Sequence, residues 1–173
     1  EYMTYLNEKA RVNDQPAVFT PEQIAANVWN TNWQDEIFRS AVITNHAVDI
    51  SGGGPTFKGS LGLSYFDQDG IVKKGGYERI SIRTNLEYNI SKYVSASANI
   101  IFSRSNHDQM NSQGGSRGTT VINSALTASP LATPHYDDGS WNDFQTQPTA
   151  GMNPVAYLHE VKNRRYANRL LAN

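Results

Sequence analysis

Between residues 79 and 102 the chain reads RISIRTNLEYNISKYVSASANIIF, and its apolar residues fall on every second position. Ile80, Ile82, Thr84, Leu86, Tyr88 and Ile90 share one face, while Arg79, Ser81, Arg83, Asn85, Glu87 and Asn89 share the other. A period of two is that of a β-strand. After a turn at SKY the alternation resumes, with Val94, Ala96, Ala98, Ile100 and Phe102 opposite Ser95, Ser97, Asn99 and Ser103. The same pattern predicts strands over roughly residues 42–51 and 57–66, and the start of a further strand at 163–173, where RRYANRLLAN alternates again. His46, Val48 and Ile50 share a face of the first of these.

The connections take turns in length. GGGP joins the first pair of strands and SK the last pair, both tight, whereas DQDGIVKKGGYE separates the middle pair and residues 105–162 follow the fourth strand. In an up-and-down meander this puts every tight turn at one end and every long loop at the other. The long stretch holds a helix candidate, GTTVINSALTASP, with Val121, Ile122, Ala125 and Leu126 at helical spacing and Pro130 to stop it. Upstream, residues 1–41 read as helical segments and loops. Tyr2, Tyr5, Leu6, Lys9 and Ala10 form an amphipathic stripe, and TPEQIAANVW carries an N-cap at Thr20, Pro21 in the first helical position and Gln23 closing a capping box.

Composition sharpens this picture. Apolar residues make up 38% of the 173, below the ~45–50% of ordinary globular domains, so an extensive core is not expected. A net charge of −1 offers nucleic acid nothing. The absence of cysteine excludes disulfides, thiolate nucleophiles and thiolate metal sites. No run approaches the ~18 apolar residues of a membrane helix, and none near the start reads as a signal peptide. A membrane β-barrel stays open, because alternating strands average to a polar composition.

Two architectures compete for the alternating strands. In a soluble or surface-attached β-sandwich that binds glycans, the apolar face turns inward and Ile80, Ile82 and Leu86 are core residues. In a membrane barrel the arrangement is inverted. The strand lengths lie near the ~9–11 residues that cross a bilayer at ~45°. Phe57 and Tyr65 bracket Leu61 and Leu63 and, on a tilted strand, span roughly 20 Å of depth, close to the separation of two interfacial aromatic girdles. The fold expected is therefore all-β: part of an antiparallel up-and-down transmembrane β-barrel, about five strands, with short helices in long extracellular loops. Leu61, Leu63, Tyr65, Ile80, Ile82, Leu86, Tyr88, Ile100 and Phe102 would face lipid. Arg79, Arg83, Asn85, Glu87 and Asn89 would face the lumen or a plug. Five strands cannot close a barrel and the chain opens on Glu1, so a piece of a longer protein is expected.

TNWQDEIFRSAVITNHAVDISGG, LGLSYFDQDGIVKKGGYERISIRTNLEYNISKYVSASANIIFSRS, NSALTASP, YDDG and GMNPVAYLHEVKNRRYANRLLAN together resemble, in order, the SusC/RagA family of TonB-linked outer-membrane transporters. The Trp33/Asp35/Ile37/Arg39 stretch, SYFDQDGIV and GMNP carry most of the resemblance. It implies a place in the outer membrane of a Gram-negative bacterium, within a barrel of about 22 strands that is filled by an N-terminal plug. It further implies a SusD-like surface lipoprotein as lid, an oligosaccharide or peptide substrate, and energy supplied by TonB through the missing N-terminal part. The chain would supply the N-terminal part of the barrel domain, without the plug. Asn32 stands where the family often has Asp.

Other motifs carry less. Asp67, Asp69 and Gly70 open like a calcium loop but lack the closing glutamate and read as a turn. GGGP leads into a strand and makes no phosphate cradle. The four histidines show no ligand spacing, and neither a metal nor a cofactor is expected. Asp35, Glu36, Asp137, Asp138 and Asp143 contain no glycosidase pair that spacing can identify, so no enzyme activity and no catalytic residue are expected. Tyr136, Asp137, Asp138, Trp141 and Phe144 are candidate contacts to substrate or lid, with packing of their own loop as the alternative.

Overall fold

In a computed structural model of the chain, residues 1–27, 30–110, 120–144 and 152–173 are described. The alternation of the sequence becomes five strands: β1 (Ile43–Gly53), β2 (Phe57–Asp69), β3 (Gly76–Ser91), β4 (Val94–Asp108) and β5 (Arg164–Ala172). They form one open sheet in the order β1-β2-β3-β4-β5, every neighbouring pair antiparallel. The sheet is a meander and does not close on itself.

The strands outrun the hydrophobic pattern. β2 has 13 residues, β3 16 and β4 15. β2 and β3 continue past Phe66 and Arg79 through Asp67↔Glu78 and Gln68↔Tyr77 to Asp69↔Gly76. Ladder hydrogen bonds need no apolar side chain, so pairing runs on into polar sequence where the alternation gives no signal. The connection predicted as DQDGIVKKGGYE shrinks to residues 70–75.

By contacts the chain forms two units, Glu1–Glu36 with Gly115–Tyr157, and Ile37–Gly114 with Leu158–Asn173. The second holds the sheet. Within it the segment preceding β1 is fastened to the β2–β3 connection by an isolated bridge between Phe38 and Val72 and by backbone bonds Arg39 N→Ile71 O and Lys73 N→Ile37 O. Ile37 and Val72 are buried.

The first unit contains helices α1 (Tyr2–Val12), α2 (Pro21–Ala26), α3 (Trp33–Ile37, its last residue in the other unit) and α4 (Val121–Thr127). The capping box of α2 is present as predicted: Gln23 N donates to Thr20 Oγ1 and Thr20 N to Gln23 Oε1. α1 buries Met3 and Ala10, not the Tyr5 side of the expected stripe, and Tyr5 is exposed. Asn7 pins α1 by a two-way bond to the backbone of Phe19, which fixes the inward face near Met3, Leu6 and Ala10. α4 begins where Thr120 caps Asn123 N and buries Val121, Ser124 and Ala125. A fifth helix, α5 (Pro154–Glu160), follows Asn153.

Candidate functional site

Register decides which side chains meet. Val48, Leu63, Ile82, Phe102 and Leu170 stand directly opposite one another across all five strands. The rows beside this one read Ile50, Leu61, Thr84, Ile100, Ala172 and His46, Tyr65, Ile80, Arg104, Asn168. Farther down, Leu86 lies opposite Gly59 and Ala98, and Tyr88 opposite Phe57 and Ala96. All nine residues expected to meet lipid therefore share one face. That face is open: Ile80, Ile82 and Leu86 are 53%, 38% and 39% exposed. A sandwich would bury these three, and among the described residues no second sheet covers them.

The band has chemically distinct rims. Phe57 and Tyr88 stand opposite each other at the tight-turn end. At the opposite end stand Tyr65 and Tyr166, and the Arg104 guanidinium lies 5.9 Å from the Tyr166 ring centroid. Level with Tyr166 the same face becomes charged, with Asp67 opposite Glu78, and in the next row Asp108 is held bidentately by Arg164 at 2.6 and 2.8 Å. An arginine whose stem lies on apolar surface and whose head reaches a charged rim suits an interface between hydrocarbon and water.

The other face collects the polar parity of every strand. Arg79, Arg83, Asn85, Glu87 and Asn89 lie on it, and register brings further residues beside them. A row of Ala47, Ser64, Ser81 and Ser103 ends at Arg169, and Gln68, Tyr77 and His107 end at Arg165. Asn85 donates to Ser60 Oγ at 3.0 Å, and Asn89 to the carbonyl of Pro55 at 3.2 Å. Glu87 stands across from Lys58. Arg83 approaches Asp49 at 4.0 Å. They meet over Gly62, where even a Cβ would come within 2.5 Å of Asp49 Oδ1. Arg79 lies over Phe66, 5.7 Å from its centroid, and Phe66, Tyr77 and His107 pack edge to face. Arg165, Arg169 and this ring cluster escaped the sequence reading, although the parity of RRYANRLLAN already sets Arg165 and Arg169 on one face.

The loop candidates separate into two kinds. Phe144 is 3% exposed and packs its ring against Trp33 at 5.3 Å and 85°, while Trp33 Nε1 donates to Ser129 O at 2.9 Å. Phe144 therefore serves as an internal anchor and offers no surface to a ligand. Trp141 stacks on His135 with centroids 4.1 Å apart. Tyr136 and Asp137 are exposed. The Tyr136 hydroxyl donates to Asp143 at 2.7 Å, and this bond raises its pKa above the ordinary 10. Asp138 accepts from Ser140 N at 2.9 Å and from Ser140 Oγ at 2.6 Å, which lowers its pKa, and Gly139 sits at φ +83° as the turn requires. Asn153 holds this segment from below, donating to the carbonyls of Pro134 and Asn142 and capping Val155 N and Ala156 N.

Two further motif residues have structural work. Arg39 donates to Asp69 Oδ1 at 2.8 Å and to the carbonyls of Gly70 and Gly75, so the turn expected after Asp67 is held by an arginine. Asn32 caps α3, accepting from Gln34 N and donating to Asp35. Asn is as good an N-cap as Asp. Among the described residues no group of three or more potential ligands could hold a metal.

An antiparallel meander with one open apolar band and one polar face has the strand plan of a wall segment from an up-and-down β-barrel. No family model matches the chain. It is 33% identical over 83% of its length to TonB-dependent receptor P3 of Formosa agariphila, and 28% identical over 78% of its length to TonB-dependent receptor SusC of Bacteroides thetaiotaomicron. Both alignments cover 15% of the relative, so the chain spans only a small part of the curated proteins it matches. Among solved structures it superposes on the RagAB peptide importer in its open-open state with a TM-score of 0.65, at 15% identity, covering 98% of this chain and 22% of that one. The chain belongs to the SusC/RagA family of TonB-dependent receptors and corresponds to a fragment of one.

Proposed function

We propose that the chain is a stretch of barrel wall in a TonB-dependent transporter that imports nutrients across the outer membrane of a Gram-negative bacterium. The observation that carries this reading is the register-matched apolar band, continuous across five strands and open to its surroundings. A soluble protein rarely leaves so much contiguous apolar surface uncovered. Leu61, Leu63, Tyr65, Ile80, Ile82, Leu86, Tyr88, Ile100 and Phe102 meet lipid in this reading, and the Arg79/Arg83 face looks into the lumen. β2, at 13 residues, is long enough to cross a bilayer when tilted and still project a polar end. The polar ends of β2, β3 and β4, with the connection 70–75, are the extracellular ends in this reading.

The transported nutrient is an oligosaccharide or a peptide, captured with a SusD-like lipoprotein as lid. Similarity to TonB-dependent receptors, SusC among them, supports import, and the choice between the two nutrients rests on the resemblance to the family. Tyr136, Asp137, Asp138 and Trp141 are exposed or half-exposed loop residues available to lid or substrate. The reading assigns no residue to covalent chemistry.

The test is a cysteine scan of positions 80–88 in the full receptor, with an environment-sensitive dye and quenchers soluble in lipid or in water. Lipid quenching at 80, 82, 86 and 88, and not at 81, 83 and 87, is expected. If neither quencher reaches the even positions, they pack against protein and the barrel reading falls.

A further inference from the structure

Three guanidinium groups surround a patch of hydroxyls on the polar face. Arg79 and Arg83 are four residues apart on β3, roughly 13 Å along the strand, and Arg169 lies two strands away, roughly 10 Å to the side, in the row between them. Ser81 and Ser103 occupy the middle of that triangle and Ser64 continues the row. Together, with Ile101 and Leu171 beside Arg83, they line a shallow trough of about 350 Å³. Only Asp49 brings negative charge, and it reaches only Arg83, at 4.0 Å. Arg79 and Arg169 have no carboxylate partner among the described residues. Arg79 is steadied by the Phe66 ring, a contact that leaves its N–H fork free.

We infer that this trough binds anionic saccharide, its arginines taking carboxylate or sulfate groups and its serines taking ring hydroxyls. The inference rests on the reading of this face as luminal and narrows the substrate class. Guanidinium forks match planar and tetrahedral oxyanions bidentately, and serine hydroxyls both donate and accept as a polyol requires. An extended peptide would instead seek main-chain partners by strand addition. β3 and β4 have both edges paired and offer none.

The experiment places a reporter in the trough without removing any arginine: Ser81→Cys in the full receptor, on a background free of other reactive cysteines. Labelling rates are compared for anionic and cationic methanethiosulfonates. At low ionic strength the anionic reagent is expected to react ~10-fold or more faster than the cationic one, a preference that fades with salt. Arg79→Gln with Arg83→Gln and Arg169→Gln should abolish the preference. Arg169→Gln alone should lower it ~2-fold or more, and serves if the triple variant does not assemble. Hexagalacturonate or sulfated maltohexaose should slow labelling, the stronger of the two showing whether carboxylate or sulfate is preferred, and maltohexaose should not.

Labelling without charge preference, or protection by maltohexaose or hexaglutamate in place of the anionic sugars, overturns the inference and leaves the import reading standing. So does a trough closed to both water-soluble and lipid-soluble thiol reagents, which would be covered by protein. Labelling by a lipid-soluble maleimide alone would put this face against the bilayer and overturn the import reading itself.

Discussion

Asn153 ties three stretches of backbone together. Buried at the start of α5, it donates to two carbonyls and accepts from two amides. Asn153→Ala removes a helix cap and two bonds to part-buried carbonyls, of which Pro134 O keeps the Asn142 amide, at a cost on the order of 1–2 kcal/mol. Proteolysis of the 134–156 segment in the receptor should become faster. Asp138 makes a pH-dependent contribution nearby. Its folded pKa lies below the ordinary carboxylate value, so its bonds to Ser140 stabilise the turn above that value and are lost as pH falls through the lowered one. Exchange of the Ser140 amide should accelerate in acid beyond the intrinsic trend, and Asp138→Asn should flatten that excess. On the sheet, Leu63→Arg or Ile82→Arg places a charge mid-band at a cost of ~2–4 kcal/mol on a lipid face. Lower outer-membrane levels of the assembled receptor are expected, while Ser64→Arg on the opposite parity should be tolerated. The capping box at Thr20 was legible because it is local chemistry. The burial of Phe144 was not, because its partner Trp33 lies far away in sequence.

Strand identity and pairing order were legible because alternation and tight turns are local signals. Strand length was not, since the ladder continues through polar residues such as Gln68 and Tyr77. α3 is too short to show a helical period. α5 was announced by a cap residue followed by proline at the first helical position, Asn153-Pro154, and could have been read from it. Turn length matters most between β3 and β4, where only Lys92 and Tyr93 intervene and an irregularity at Asn89/Ser91 already absorbs part of the twist. One residue inserted between them shifts β4 by a single step, which would carry Ile100 and Phe102 to the polar face. Loss of assembled receptor is expected, whereas the same insertion beside Gly139, in an exposed turn, should leave it near the unaltered level.

At the scale of the sheet, the two faces were separable by parity alone, but the grouping of Arg79, Arg83 and Arg169 needed the β3–β4–β5 register. Neither β1 nor β5 has a second strand neighbour among the described residues. A row of free backbone donors and acceptors on each outer edge invites pairing with other chains. The isolated 173-residue chain without detergent should therefore associate in a concentration-dependent way, as sedimentation would show.

The alternation of short and long connections also sets a timetable. β1–β2 closes across residues 54–56 and β3–β4 across 92–93, whereas β4–β5 must first bring together ends separated by residues 109–163. Loop-closure entropy rises with that separation, and contacts distant in sequence form late. The wall thus assembles from ready-made hairpins, and β5, which brings Arg169 to the face already holding Arg79 and Arg83, is the last of these five strands to dock. Until it does, the arginine-lined trough has only two of its three corners.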